Sequence, residues 1–155
     1  MPDPIHTLLD PASIELNLRG KKKAELIEEL VMLLSRSGRI NDPEDLVAKV
    51  IEREKITSTG IGRGIAIPHA LVPTVKETAL AFGIHSGARF DAVDNKPVTL
   101  FFLLVGAAGS QGEHLRILSR LARYLNDDDF CRTLRQVSSP EEVIRAFEKK
   151  EQDSP

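Results

Sequence analysis

Apolar residues at helical spacing mark the first third of the chain. Ala24, Ile27, Leu30, Val31 and Leu34 recur every three or four positions, which predicts a helix from about Lys21 to Ser37. Gly38 suits the left-handed residue that ends many helices. Asp42 and Pro43 offer an N-cap and a first-turn proline for a second helix, which ends around Arg53 to Lys55. Asp45 stands where a capping box usually has Glu. Ahead of both helices, Ile14-Glu15-Leu16-Asn17-Leu18 alternates apolar and polar, as a short strand does. The rest of residues 1–20, with Pro2, Pro4 and Pro11, reads as irregular.

The pattern then changes. Residues 57–64 are rich in Thr, Ser and Gly, and Ile65-Ala66-Ile67 forms a short apolar strand stopped by Pro68. Ala79 to His85 and Val98 to Val105 read as buried strands. The second is almost continuously apolar, as a central strand covered on both faces would be. After the turn Gly106 to Gly109, a helix is predicted from about Gln111 to Leu125, with Ser110 as its N-cap. A short helix over Asp127 to Arg135 and a last one from Ser139-Pro140 to about Lys149 follow, with residues 151–155 as a frayed tail. Helices at both ends of a strand-rich middle predict a single α/β domain over residues 1–150.

Composition narrows the function classes. The 155 residues are 41% hydrophobic and 28% charged, enough for a real core. A net charge of −2, with acids and bases interspersed, leaves no electrostatic footprint for nucleic acid. No apolar run reaches the ~20 residues that would insert in a bilayer, and no secretory signal is visible. Cys131 stands alone, so an internal disulfide and Cys-rich zinc sites are excluded. These features predict a cytoplasmic protein.

The candidate chemistry begins in the segment Ser58 to Ala70. Gly60, Gly62 and Gly64 permit positive φ and close backbone approach, so loop amides there, with Arg63, can present donors to an anion or a partner. The dinucleotide fingerprint fits poorly, because these glycines lead into a strand that ends in Pro68. The Walker phosphate loop lacks its Gly-Lys-Ser/Thr. His69 follows Pro68, which pushes Ile67 into extended geometry and predicts a well-defined strand end for the histidine. A neutral imidazole is a good acceptor for reversible phosphoryl transfer. The plainer alternative is a surface or capping histidine. His114, in the first turn of its helix, falls near the stripe Leu115, Leu118, Leu121, Ala122 and Leu125, so it points toward the sheet. It is either a hydrogen-bonded structural histidine or a neighbour of His69 near a helix N-terminus that favours phosphate. Arg53, in Glu52-Arg53-Glu54-Lys55, is either part of a solvated helix end or a guanidinium that holds phosphate oxygens. Arg116, Arg120 and Arg123 read as a solvated helix face. His6 and His85 are assigned no role.

Taken in order, Glu52-Arg53-Glu54-Lys55, Ser58-Thr59-Gly60-Ile61-Gly62, Gly64-Ile65-Ala66-Ile67-Pro68-His69, Phe90-Asp91-Ala92-Val93-Asp94-Asn95 and His114 before an amphipathic helix are informative. This order resembles the enzyme IIA domains of the fructose/mannitol class of the bacterial phosphotransferase system, nearest the nitrogen-regulatory branch. The likeness runs from about Ile5 to Phe147. It implies a single α/β domain with a mixed central β-sheet flanked by helices on both faces. It also implies a phosphotransferase activity through a phosphohistidine, without a cofactor. His69 matches the histidine that accepts phosphate from the carrier protein HPr, which is itself charged from phosphoenolpyruvate through enzyme I. Arg53 matches the arginine near the phosphohistidine, and His114 the second active-site histidine. The recipient would be an enzyme IIB or a regulated protein.

The chain departs from the nitrogen-regulatory pattern beside the site. Pro68-His69-Ala70-Leu71 stands where Pro-His-Gly-Lys is common, Arg63 where Asn is usual, and Gly106-Ala107-Ala108-Gly109 differs from the usual loop. These changes bear on acceptor preference and branch, and leave the acceptor histidine in place. A regulatory phosphocarrier, a sugar-transport enzyme IIA and a binding module that lost transfer are the readings in competition. A metal site from His69, His85 and His114 would lack a carboxylate ligand.

Overall fold

The computed structural model of the chain describes residues 4–56 and 59–154. Thr57 and Ser58, the start of the glycine-rich motif, lie outside the described residues, as do Pro2 and Pro155. The elements follow in the order α1 (Ile5–Leu8), a 3₁₀ turn (Pro11–Ser13), β1 (Ile14–Glu15), α2 (Lys23–Arg36), α3 (Pro43–Ile56), β2 (Gly60–Gly62), β3 (Ile65–Ala66), β4 (His69–Val72), β5 (Ala79–Ala88), β6 (Val98–Ala107), α4 (Gln111–Leu125), α5 (Asp128–Arg135) and α6 (Pro140–Asp153).

The sheet is mixed and has β6 at its centre. Its order is β1-β5-β6-β3-β2, with β4 also paired to β6. β5 runs antiparallel to β6, whereas β3 and β4 are both parallel to it. β3 and β4 are two pieces of one line along β6, since Ile65 pairs with Leu100 and His69 with Leu104. Pro68 lies between them. Lacking an N–H, it cannot donate to the ladder, yet its carbonyl accepts from Leu104 N–H at 3.0 Å. His69 therefore opens a second strand segment instead of standing at the end of one.

Alternation along β6 divides the core in two. Phe101, Leu103 and Val105 pack with Leu26, Leu30, Leu34 and Val50 of α2 and α3 on one face. Leu100, Phe102 and Leu104 pack with Ile117 and Leu121 of α4, Leu134 of α5 and Phe147 of α6 on the other. This two-sided burial is why the strand is apolar throughout.

Local signals account for the helix ends. Asp42 caps α3, its carboxylate accepting from Asp45 N–H at 3.1 Å. Gly38 takes φ +80° after α2. Glu25 turns back onto the N–H groups of Lys21 and Lys22, so α2 starts at Lys23 instead of Lys21. Ser110 precedes α4 but makes no side-chain cap; its hydroxyl donates to Ala107 O at 2.6 Å.

The C-terminal residues correct the expected frayed tail. α6 continues past Lys149 to Asp153. The Glu151 carboxylate accepts from Ile5 N–H at 2.7 Å, His6 N–H at 2.9 Å and the His6 Nδ1 position at 2.8 Å. Tyr124 OH donates to Ser154 O at 3.2 Å. The N-terminal stretch expected to be irregular holds α1 for the same reason. Among the described residues, no helix is long and apolar enough to cross a membrane.

Candidate functional site

Three of the predicted residues meet. The His69 ring donates from Nδ1 to Ile67 O at 2.8 Å, which holds the tautomer whose lone pair is on Nε2. That lone pair faces Arg53, whose Nη2–H donates to it at 3.4 Å. A bond of this length is weak, so the guanidinium exchanges it readily for an anionic acceptor. The His114 ring lies 5.6 Å from the His69 ring, centroid to centroid, at an interplanar angle of 48°.

Each side chain is delivered by a different element. Arg53 rides on the last turn of α3, His69 opens β4 and His114 sits in the first turn of α4. The α4 stripe that faces the sheet is His114, Ile117, Leu121, Tyr124 and Leu125. Leu115, included in the expected stripe, is 65% exposed, because one residue along a helix turns the side chain by about 100°.

His114 is 6% exposed, and among the described residues neither of its ring nitrogens has a hydrogen-bond partner. Burial first, and then the charge of the neighbouring His69 ring, push its pKa down from 6.5 to about 4. The ring is neutral at pH 7, with one N–H donor and one acceptor nitrogen. An uncommitted buried donor beside a nucleophilic nitrogen is what an incoming anionic group would satisfy. Gly106 makes room for it, since a Cβ there would stand 3.3 Å from His114 Nδ1.

The second half of the glycine segment lies elsewhere. Arg63 and Gly64 form the turn between β2 and β3 with φ of +59° and +79°, both in the region such hairpins require. Gly64 O accepts from Thr99 and Leu100 N–H, whereas His69 is level with Leu104. That places the turn about 13 Å along the sheet from His69. The Arg63 guanidinium binds Leu125 O, Asn126 Oδ1 and Asp128 Oδ1 at 2.8–3.1 Å. Its N–H donates to Asp94 Oδ2 at 2.9 Å, and a Cβ added at Gly62 would stand 3.4 Å from the same oxygen. Of the two expectations for Gly62, Arg63 and Gly64, a place beside the phosphate of His69 is corrected accordingly, whereas contact with a partner stays an expectation. These residues join the hairpin to α5 and to the loop before β6.

Sequence reasoning passed over Thr59, which lies at the site end of the same segment. Its carbonyl accepts from Ile67 N–H at 3.0 Å. His85 is also remote. It donates from Nε2 to Gly20 O at 2.8 Å and accepts from Gly87 N–H on Nδ1. Among the described residues, no group of three or more His, Cys, Asp or Glu is placed to hold a metal ion.

Comparison with known proteins places the chain in a family. Residues 7–150 match the family model described as Phosphoenolpyruvate-dependent sugar phosphotransferase system, EIIA 2. The chain is 36% identical over 141 residues to the fructose-specific EIIABC component of Bacillus subtilis (strain 168), covering 90% of this chain and 22% of that longer protein. It is 35% identical over 140 residues to the fructose-specific EIIA component of Haloferax volcanii, covering 90% and 91%. The crystal structure of nitrogen regulatory protein IIA-Ntr from Neisseria meningitidis superposes with a TM-score of 0.85 at 37% identity, covering 92% of this chain and 98% of that one. This chain belongs to the EIIA 2 family of the phosphoenolpyruvate-dependent sugar phosphotransferase system.

Proposed function

We propose that this protein is a cytoplasmic phosphocarrier in which His69 Nε2 takes a phosphoryl group from the phosphohistidine of an HPr-type donor and passes it on. The observation that carries the reading is the state of the His69 ring. Its Nδ1–H is committed to Ile67 O, so the lone pair is free on the nitrogen that faces Arg53, with neutral His114 alongside.

In the transfer, the donor's N–P bond breaks as the Nε2–P bond forms. The donor ring leaves with its lone pair, His69 keeps its Nδ1 proton, and no proton need move. Charge gathers on the three equatorial phosphoryl oxygens of a loose transition state. The Arg53 guanidinium turns from Nε2 to these oxygens, and the His114 N–H donates to them. An anion beside His114 favours its protonated form, so its pKa rises once the phosphoryl group is in place.

For the destination of the phosphoryl group we infer a regulatory, nitrogen-type role, supported by the likeness to IIA-Ntr over nearly the whole of both chains. A second reading is a sugar-transport enzyme IIA that charges an enzyme IIB. It is favoured by the fructose-specific relatives, of which the Bacillus protein is named as an EIIABC component. Permease genes beside this one would support transport, and nitrogen-sigma-factor or kinase genes would support regulation.

The first experiment incubates the protein with enzyme I, HPr and labelled phosphoenolpyruvate, alongside His69→Ala. Acid-labile, alkali-stable label on wild type alone is the expected result. Unlabelled, folded wild type in the presence of labelled HPr overturns the phosphocarrier reading for this donor and favours a binding module on the same fold.

A further inference from the structure

The buried acid next to Arg53 is the feature that the transfer chemistry leaves unused. Glu54 is 6% exposed, in the last turn of α3, where a carboxylate is misplaced against the negative end of the helix dipole. A buried charge persists only when its oxygens are fully engaged. Here they are. Lys23 Nζ of α2 approaches Glu54 Oε2 at 2.8 Å. Thr59 donates both its backbone N–H, at 3.2 Å to each oxygen, and its hydroxyl to Oε1. Lys23 is itself held, with Nζ 4.8 Å from the Phe90 ring centre and 3.7 Å from Asp91 Oδ2.

From Thr59 the bonds continue to the reacting ring. Thr59 O accepts from Ile67 N–H, and Ile67 O accepts from His69 Nδ1–H. Glu54 therefore grips both sides of the site. On one side it fixes the helix end whose preceding residue, Arg53, meets His69 Nε2. On the other it fixes Thr59, whose carbonyl accepts from Ile67, the residue whose own carbonyl holds His69 Nδ1.

The geometry points to Glu54, acting with Lys23 and Thr59, as a positioning residue that sets the His69 tautomer and the Arg53 approach for phosphoryl transfer. This rests on His69 being the acceptor, as proposed above. Glu54 touches no reacting atom, and its effect is transmitted through the Thr59–Ile67–His69 hydrogen bonds and through the α3 backbone. Lys23 pairs with the carboxylate from the α2 side and aims it at Thr59.

The test pairs kinetics with spectroscopy on the full chain. Glu54→Gln, Thr59→Val and Thr59→Ser are compared with wild type, with Glu52→Gln at the exposed neighbouring position as control. Single-turnover transfer from phospho-HPr and the ¹⁵N shifts of the His69 ring are measured. Glu54→Gln and Thr59→Val are expected to lower the transfer rate constant about tenfold to a hundredfold with KM for phospho-HPr unchanged, the cost of a small misplacement. Their His69 ¹⁵N shifts move toward a mixture of tautomers. Thr59→Ser, which keeps the hydroxyl, and Glu52→Gln stay near wild type. Wild-type rates together with unchanged His69 shifts in Glu54→Gln and Thr59→Val overturn the inference, and if Glu54→Gln does not fold, Thr59→Val decides alone. If wild type itself takes no label from phospho-HPr, it is the phosphocarrier reading that fails. The ring shifts then decide separately whether Glu54 governs the His69 tautomer.

Discussion

A neutral imidazole held at position 114 makes the protein lose stability in acid. The folded-state pKa of His114, about 4, lies below the ordinary 6.5. Between those values the unfolded chain binds a proton that the folded one refuses, so stability rises with pH across the window. The contribution is fully present above 6.5 and is lost as pH falls toward 4. From pH 7 to pH 5 the loss amounts to about 2 kcal/mol, because each pH step of one below 6.5 removes ~1.4 kcal/mol. Urea unfolding at the two pH values checks this, and His114→Gln should flatten the dependence by that amount. Arg53 makes a different kind of contribution. Its fork can hold two phosphoryl oxygens, which a lysine cannot reproduce. Arg53→Lys should fold normally, keep His69 as the labelled residue and slow single-turnover transfer about a hundredfold.

Among the elements, the shortest are held by groups distant in sequence. α1 has four residues and no side-chain cap of its own. Its first amides are satisfied by Glu151 of α6, which lies 146 and 145 positions away, and Arg120 Nη1 stands 3.8 Å from the same carboxylate. Glu151→Ala should cost about 1–3 kcal/mol by leaving those donors without their acceptor. Hydrogen exchange at the Ile5 and His6 amides should speed up while the β6 amides stay protected. β2 and β4 are short for a related reason. Gly60-Ile61-Gly62 has no apolar alternation to announce a strand and is one only because β3 lies beside it. His69-Ala70-Leu71-Val72 is a strand because Leu104 to Ala107 offers a parallel ladder beyond the break at Pro68. Neither was legible as a strand in the sequence. α4, by contrast, has the ends that the sequence predicts, since an amphipathic period sustained over fifteen residues marks its own limits.

The whole molecule is built on a sheet buried on both faces, with Phe102 at the middle of one of them. Its ring contacts Phe82 at 4.7 Å and Phe147 at 6.0 Å between centroids, joining β5 and β6 to α6. Phe102→Ala should cost about 3–5 kcal/mol through the cavity it leaves, read as a lowered urea midpoint with the slope unchanged. The continuous apolar run of β6 and the periodic faces of α2, α3 and α4 are properties of neighbouring residues, so the sequence by itself determined an α/β fold with helices on the sheet. It also determined which side chains have the right chemistry: a histidine after an extended Pro68, an arginine near a helix end and a histidine on a buried helix face. Only the tertiary structure decided that these three meet, because their separations of 16 and 45 residues are closed by strand pairing and helix docking. The same pairing carried Gly62, Arg63 and Gly64 away from the site and brought Thr59 and Glu54 to it. A residue's reactivity is local, whereas its company depends on register, and register is settled when distant strands exchange their hydrogen bonds.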